Sequence, residues 1–338
     1  MEKELDFVAP EVMTYDYELY PLGIMKAHGE RYKEWMLSNY IQLNCHEDIV
    51  RDKDVFLAFY DDSGMKSPFL KVEKLLWSVT RSMGYDMKAF FRKCIDLECY
   101  IFLKIDEFYI PRRWAYGKIK YLHDNLVIGY DDENFILLGY DENAEYIKQK
   151  VHQDQLMEAL YSNQSDLEKK AWEDDIYIYR YADYDYKLNI SLIKEALYNF
   201  LHSTEHQEEV KRFAKPLEDT VFGLAVYDKV LEYLEILSEG KELFQGNIDI
   251  RIFRLLREHK RIMLERIQVI HSKFENLNGM YEKYKKISKI ADMTYMIALK
   301  YRVKEDKEYL YRMAEYVRSM KQGDQTVLGE LYERLAGI

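Results

Sequence analysis

The sequence predicts an α+β protein, with an antiparallel sheet in its first half and helices in its second. Three observations point there. Residues 99–140 contain three runs of aromatic and β-branched residues at strand length, the last two joined by the turn segment Asp131-Asp-Glu133. From about Lys187 onward, apolar residues recur at helical spacing almost to the end. The 338 residues are 48% hydrophobic and 32% charged, a soluble globular balance in a chain long enough for two domains. The expected division is 1–186 for the sheet-bearing domain and 187–338 for a helical one that serves as lid, substrate-binding or dimer surface.

The first 30 residues show little periodicity and hold two of the five prolines, Pro10 and Pro21. Glu30 to Tyr40 is expected to be a short helix and Val55 to Tyr60 a strand, closed by the turn signal Asp61-Asp-Ser-Gly64. Two amphipathic segments follow, Phe69 to Met83 and Tyr85 to Ile95, with Gly84 as a stop between them. Cys99 to Ile105 is a strand, and Asp106 to Pro111 ends it at a proline. Tyr121 to Tyr130 and Asn134 to Tyr140 form the hairpin. Asp183 to Ile190 is an extended connector. Helices are expected over Ser191–His202, Lys229–Leu237, Ile250–Asn276, Met280–Tyr301 and Lys307–Met320, with breaks at Gly240, Gly246, Gly279 and Gly323.

A net charge of −11 argues against a nucleic-acid partner held through its phosphates. No apolar run reaches the roughly 20 residues needed to span a bilayer, and the acidic start Met1-Glu-Lys-Glu-Leu-Asp does not read as a signal peptide. Three cysteines are too few for a disulfide framework. The expected location is the cytoplasm, with no membrane partner. CxxC, HExxH and Gly-rich phosphate loops are absent, so neither a metal nor a bound nucleotide is expected.

The chemistry centres on the hairpin. If Tyr130 pairs with Asn134, His123 lies opposite Asp141; if Asp131 pairs with Asn134, it lies opposite Glu142. Either register puts a carboxylate about 5 Å from the histidine on one face. Cys45 lies far upstream, and Cys, then His, then an acid after the next strand is the chain order of papain-like thiol enzymes. Such a thiol needs a histidine to take its proton and a third group to orient that histidine. Gln42 and Asn44, just before the thiol, are candidate oxyanion-hole donors. Cys94 and Cys99 read as core residues and His46 as a surface one. Pro111 to Lys120 is a basic and aromatic patch in an acidic chain, so Arg112, Arg113, Lys118 and Lys120 are candidates for docking an anionic substrate or carrier. A second basic stretch, Arg257 to Arg266, reads as a charged helix face.

Asp106-Glu-Phe-Tyr-Ile-Pro111, His123-Asp-Asn-Leu-Val-Ile-Gly-Tyr-Asp131, Phe135-Ile-Leu-Leu-Gly-Tyr-Asp141, Asp183 to Leu201 and the segment Asp249 to Arg266 resemble a family encoded with peptide and polyketide assembly lines. This is the family of papain-like (C39-like) acyltransferases and amide synthases that includes the butirosin acyltransferase and the closthioamide amide synthase. The resemblance covers, in patches, residues from about 95 to 270. It implies a papain-like core and transfer of an acyl group from a carrier-protein thioester, through a cysteine thioester, onto an amine. It further implies Cys45 as nucleophile, His123 as base and Asp141, rather than Glu142, as the orienting acid. No cofactor is implied beyond the phosphopantetheine arm of the acyl or peptidyl carrier protein. In papain-like folds the nucleophile opens a long helix, whereas Cys45 is followed by Arg51-Asp-Lys-Asp54 and a strand-like run. Two other functions fit the same residues: a cysteine peptidase of the same fold, and a noncatalytic module that binds a carrier protein.

Overall fold

The computed structural model describes residues 2–51, 54–60, 66–162, 175–205, 219–240, 247–275 and 277–335. The expected turn at 61–64 and the break at Gly246 fall outside them. The chain is α+β and divides into two compact units, Met1–Tyr32 with Asp62–Asp185 and Lys33–Asp61 with Tyr186–Ile338. A single cut at 186 therefore misses one exchange: residues 33–61, with Cys45, go with the helices.

The first unit is built on an antiparallel sheet in the order β4 (Leu70–Leu76), β9 (Asp175–Tyr181), β5 (Cys99–Asp106), β6 (Leu122–Tyr130), β7 (Asn134–Tyr140) and β8 (Tyr146–His152). The two-residue β1 (Lys3–Glu4) adds to the far end of β6. Inner strand β5 reads as an almost unbroken apolar run because both its faces are covered. Edge strand β4 carries Lys71, Glu73 and Lys74 among its apolar residues, and charge on an edge discourages pairing with a further chain. The amphipathic segment Phe69–Met83 was expected as one element and is two, β4 followed by helix α3 (Trp77–Ser82). Pairing with β9 along all of β4, from Leu70↔Tyr181 to Leu76↔Asp175, outweighs its helix-like spacing. Helix α4 (Met87–Asp96) opens on Asp86, whose carboxylate accepts the amides of Lys88 and Ala89. Helix α5 is Gln153–Tyr161.

Helix α1 (Asp16–Ala27) was not anticipated. Residues Glu18 to Met25 are all buried in it, so no polar stripe marks a helical period. Pro21 lies inside it, and Gly23 faces the ring of Phe7 so closely that a Cβ would overlap it. Helix α1 lies against β6 and β9.

In the second unit, following the short helix α2 (Tyr32–Asn39), β2 (Leu43–Arg51) is the central strand between β3 (Asp54–Phe59) and β10 (Thr220–Phe222). The helices are α6 (Ile190–His202), α7 (Val226–Ser238), α8 (Arg251–Phe274), α9 (Met280–Lys304) and α10 (Lys307–Leu335). Gly323 does not end a helix. It sits inside α10, where a Cβ would come within 2.8 Å of Ile287 on α9, so the glycine lets those helices approach. The basic stretch of α8 is a charged face only in part: Arg257 and Arg261 reach solvent and pair with Asp292. His259, Lys260 and Arg266 are fully buried.

Each buried cation there has its partners. Lys260 donates to Asp324 Oδ2 at 2.6 Å and to His259 Nδ1 at 2.7 Å. The Asp324 carboxylate also accepts the hydroxyls of Tyr227 and Tyr284 at 2.5 and 2.9 Å. His259 is therefore the neutral tautomer that accepts at Nδ1 and donates from Nε2 to the Ile41 carbonyl at 2.8 Å. Burial, then the Lys260 charge, hold it well below the usual histidine range. Arg266 donates to the carbonyls of Leu37 and Tyr40, both at 2.6 Å.

Candidate functional site

His123 stands on β6, paired with Ile105 of β5. The hairpin forms as expected and uses both expected registers in turn, that of Asp131 with Asn134 next to the turn and, beyond a bulge, the one that points His123 towards Asp141. The ladder stops before reaching those two residues. Tyr130 pairs with Phe135 and Gly129 with Ile136; a bulge then shifts the ladder by one to Val127↔Leu137 and Leu126↔Leu138. The ladder ends there for a steric reason. Arg113, from the loop before β6, lies between the two strands and donates to the Tyr140 carbonyl at 2.6 Å and to Asn125 Oδ1 at 2.9 Å. It fits because residue 139 is glycine: a Cβ there would fall 2.5 to 2.8 Å from the guanidinium.

Asp141 consequently does not serve His123. Its Oδ1 accepts the amides of Asn143 and Glu145, both at 2.9 Å, and Oδ2 faces Arg112 at 3.4 Å. The Glu145 and Asn143 amides, then Arg112, hold this carboxyl below its usual range despite burial. Asp141 closes a turn, and the Glu142 amide is used on the Arg112 carbonyl. The expected His123–Asp141 pairing is thus replaced.

The acids that meet His123 are Glu107 and Asp16. Glu107 sits in the single 3₁₀ turn that ends β5, and its Oε1 is 3.2 Å from Nδ1. Asp16 opens helix α1, and its Oδ2 is 3.8 Å from Nε2. Asn125, two residues along the strand, donates to the same Glu107 oxygen at 3.4 Å. Asp124, paired with Lys104 at 2.5 Å, adds a further negative charge nearby. Burial opposes the imidazolium, yet the hydrogen bond and charge of Glu107, followed by Asp16 and Asp124, raise His123 to about 9. Burial likewise raises Asp16, to about 7, against the pull of His123. The Asp16 carboxylate is 5% exposed and its Oδ1 has no hydrogen-bond partner. The sequence signal for Asp16 was an acidic pair, Asp16 and Glu18, ahead of an apolar run.

One edge of the imidazole reaches solvent; its side chain is 32% exposed. Tyr121 stacks on it at 5.4 Å, and Trp114 meets Tyr121 edge-on at 5.7 Å. Both come from the loop 107–121, which Asp106 ties together by accepting the amides of Phe108 and Tyr121. Phe108, Trp114, Tyr116 and Ile119 are exposed on that loop, as are Arg112, Lys118 and Lys120. Arg113, expected among the docking cations, is instead 2% exposed and structural.

Cys45 belongs to the other unit. It lies on β2 between Val221 of β10 and Leu57 of β3 and is fully buried. Burial pushes its thiol up to about 12, only weakly countered by Lys229. A thiol so held is protonated at neutral pH. Gln42 spends its amide on the Thr204 carbonyl at 2.8 Å, and half-buried Asn44 lies beside Cys45 on the same strand.

Among the described residues, no group of three or more His, Cys, Asp or Glu is arranged to hold a metal ion, and no helix is long and apolar enough to cross a membrane. A cleft of about 580 Å³ opens between α4 and α5 beside Met87, Met157 and Tyr161 and contains none of the His123 cluster. No protein-family model matches the sequence, and no curated protein matches it.

Proposed function

We propose that this chain is a noncatalytic recognition module that docks an acyl or peptidyl carrier protein through loop 107–121, on a first unit of papain-like (C39-like) type. Helix α1 against an antiparallel sheet that carries an imidazole supports the fold assignment. The observation that carries the function is the loop itself. In a chain of net charge −11 it presents Arg112, Lys118 and Lys120 around exposed Phe108, Trp114, Tyr116 and Ile119, and leads through the Trp114 and Tyr121 rings to a cationic imidazole. An acidic carrier whose phosphopantetheine arm is anionic at one end and amide-rich along its length complements that surface. The complete burial of Cys45 within β2, which holds its thiol protonated, favours docking over covalent acyl transfer and over peptidase chemistry.

Calorimetric titration with holo- and acyl-carrier proteins tests this reading. Trp114→Ala and Lys118→Glu should each weaken binding by roughly tenfold, as interface anchors and steering charges do. Equal affinity in wild type and both variants would overturn it.

The acyltransferase or amide-synthase reading is the second one, and the exposed edge of His123 with Glu107 at Nδ1 favours it. There His123 would deprotonate the amine, which attacks the carrier thioester directly. Because the imidazole is held at about 9, amide formation should rise as pH passes that value and vanish in His123→Ala.

A further inference from the structure

We propose that Asp16 occupies the nucleophile's position of a triad whose other members, His123 and Glu107, are in place. In a nucleophile–histidine–acid triad the orienting acid holds Nδ1 and the nucleophile faces Nε2. Glu107 and Asp16 divide the two nitrogens in that order. A nucleophile also gains from the first turn of a helix, where the dipole favours an anion. Asp16 is the first residue of α1, and its N-cap, Tyr15, makes no side-chain capping bond that would compete.

Two details set this pair apart from an ordinary buried salt bridge. At 3.8 Å, Oδ2 is too far from Nε2 for a hydrogen bond. Its sister oxygen, buried, has no partner at all. An optimised ion pair would use both oxygens. A single sulfur, larger than oxygen and content with one contact, would leave no orphan in this position. Every other charge around the ring is already engaged: Asp124 by Lys104, and Arg113 by Asn125 and the Tyr140 carbonyl. Wild type thus keeps the imidazolium and its counter-charge but holds a carboxylate where a thiolate would act. This inference stands whether or not a carrier docks.

The full chain carrying Asp16→Cys tests it, with Asp16→Cys/His123→Ala as the partner variant and iodoacetamide as probe. The thiolate displaces iodide, forming C–S as C–I breaks, while the imidazolium keeps its proton. At pH 6 residue 16 should alkylate at least about tenfold faster with His123 present than without it, and rates within about twofold of each other would overturn the proposal. Cys45 and Cys94, both pushed up to about 12 by burial, and half-buried Cys99, also raised by burial, contribute little background at that pH. If Asp16→Cys does not fold, nitrogen NMR of the imidazole in Asp16→Asn decides. The change should centre on Nε2; a larger change at Nδ1 would place Asp16 on the wrong side of the ring.

Discussion

Each unit sets a histidine among charged neighbours, and the two clusters are completed differently. In the helical unit, Asp324 receives Lys260, Tyr227 and Tyr284, and His259 uses both nitrogens. Its residues are closed to solvent. In the sheet unit, Asp16 keeps an unpartnered buried oxygen, the Arg113 Nε has no hydrogen bond, and the histidine has an open edge. A saturated network fixes a packing arrangement, because removing any member strands the others in a low dielectric. An incomplete one sacrifices stability, which folding alone does not reward. The difference teaches where to look for function: at the cluster whose hydrogen bonds are unfinished and whose histidine can be reached.

The comparison is most severely tested by Asp324→Ala. It leaves the Lys260 ammonium buried and unpaired, so urea unfolding should show a loss of about 3–5 kcal/mol. A loss under about 1 kcal/mol would mean that the helical cluster is not cooperative. Next comes Gly139→Ala, which drives a methyl group into the Arg113 guanidinium and should cost about 1–3 kcal/mol in the same assay. Unchanged stability would show that Arg113 does not hold the two strands apart.

Asp16→Asn should do far less. It removes a carboxylate whose burial is only partly compensated, so stability should change by about 1 kcal/mol or less, in either direction. A loss as large as that of Asp324→Ala would erase the distinction between the clusters.

The pH dependences should have opposite signs. His123 is raised when folded, so its stabilisation is full below about 6.5 and lost as pH rises through about 9. Asp16, also raised, works in the same direction between about 4 and about 7. His259 is lowered, so its contribution is present above about 6.5 and fades as pH falls below that value. Thermal unfolding of His123→Ala and His259→Gln across pH 5 to about 9.5 should flatten opposite limbs of the stability profile. The same limb lost in both would refute the assignment.

Much of the fold was legible because its signals are local. The apolar runs of β5, β6 and β7 and the turn Asp131-Asp-Glu133 sit where alternation and turn chemistry put them. Helices α8 and α9 follow their apolar spacing to within a few residues at their ends. Helix α1 was illegible because it is apolar on nearly every side, and β4 because its spacing fits a helix until β9 pairs with it. Gly323 looked like a stop because a sequence does not show that Ile287 will pack against it.

For the site, the sequence by itself determined that His123 stands on a strand of a hairpin, next to a loop rich in basic and aromatic residues. Strand period and turn length suffice for that. Which acids meet the imidazole was decided only by the tertiary structure. Glu107 arrives because β5 is the neighbour of β6, Asp16 because α1 packs on the sheet, and Asp141 is withheld by the buried arginine at which the β6–β7 ladder stops. Cys45 likewise joined the helical unit because β2 pairs with β3 and β10. Turns and periods are set by adjacent residues, whereas these encounters depend on strand order and packing between segments up to a hundred and more residues apart, which local pattern does not encode.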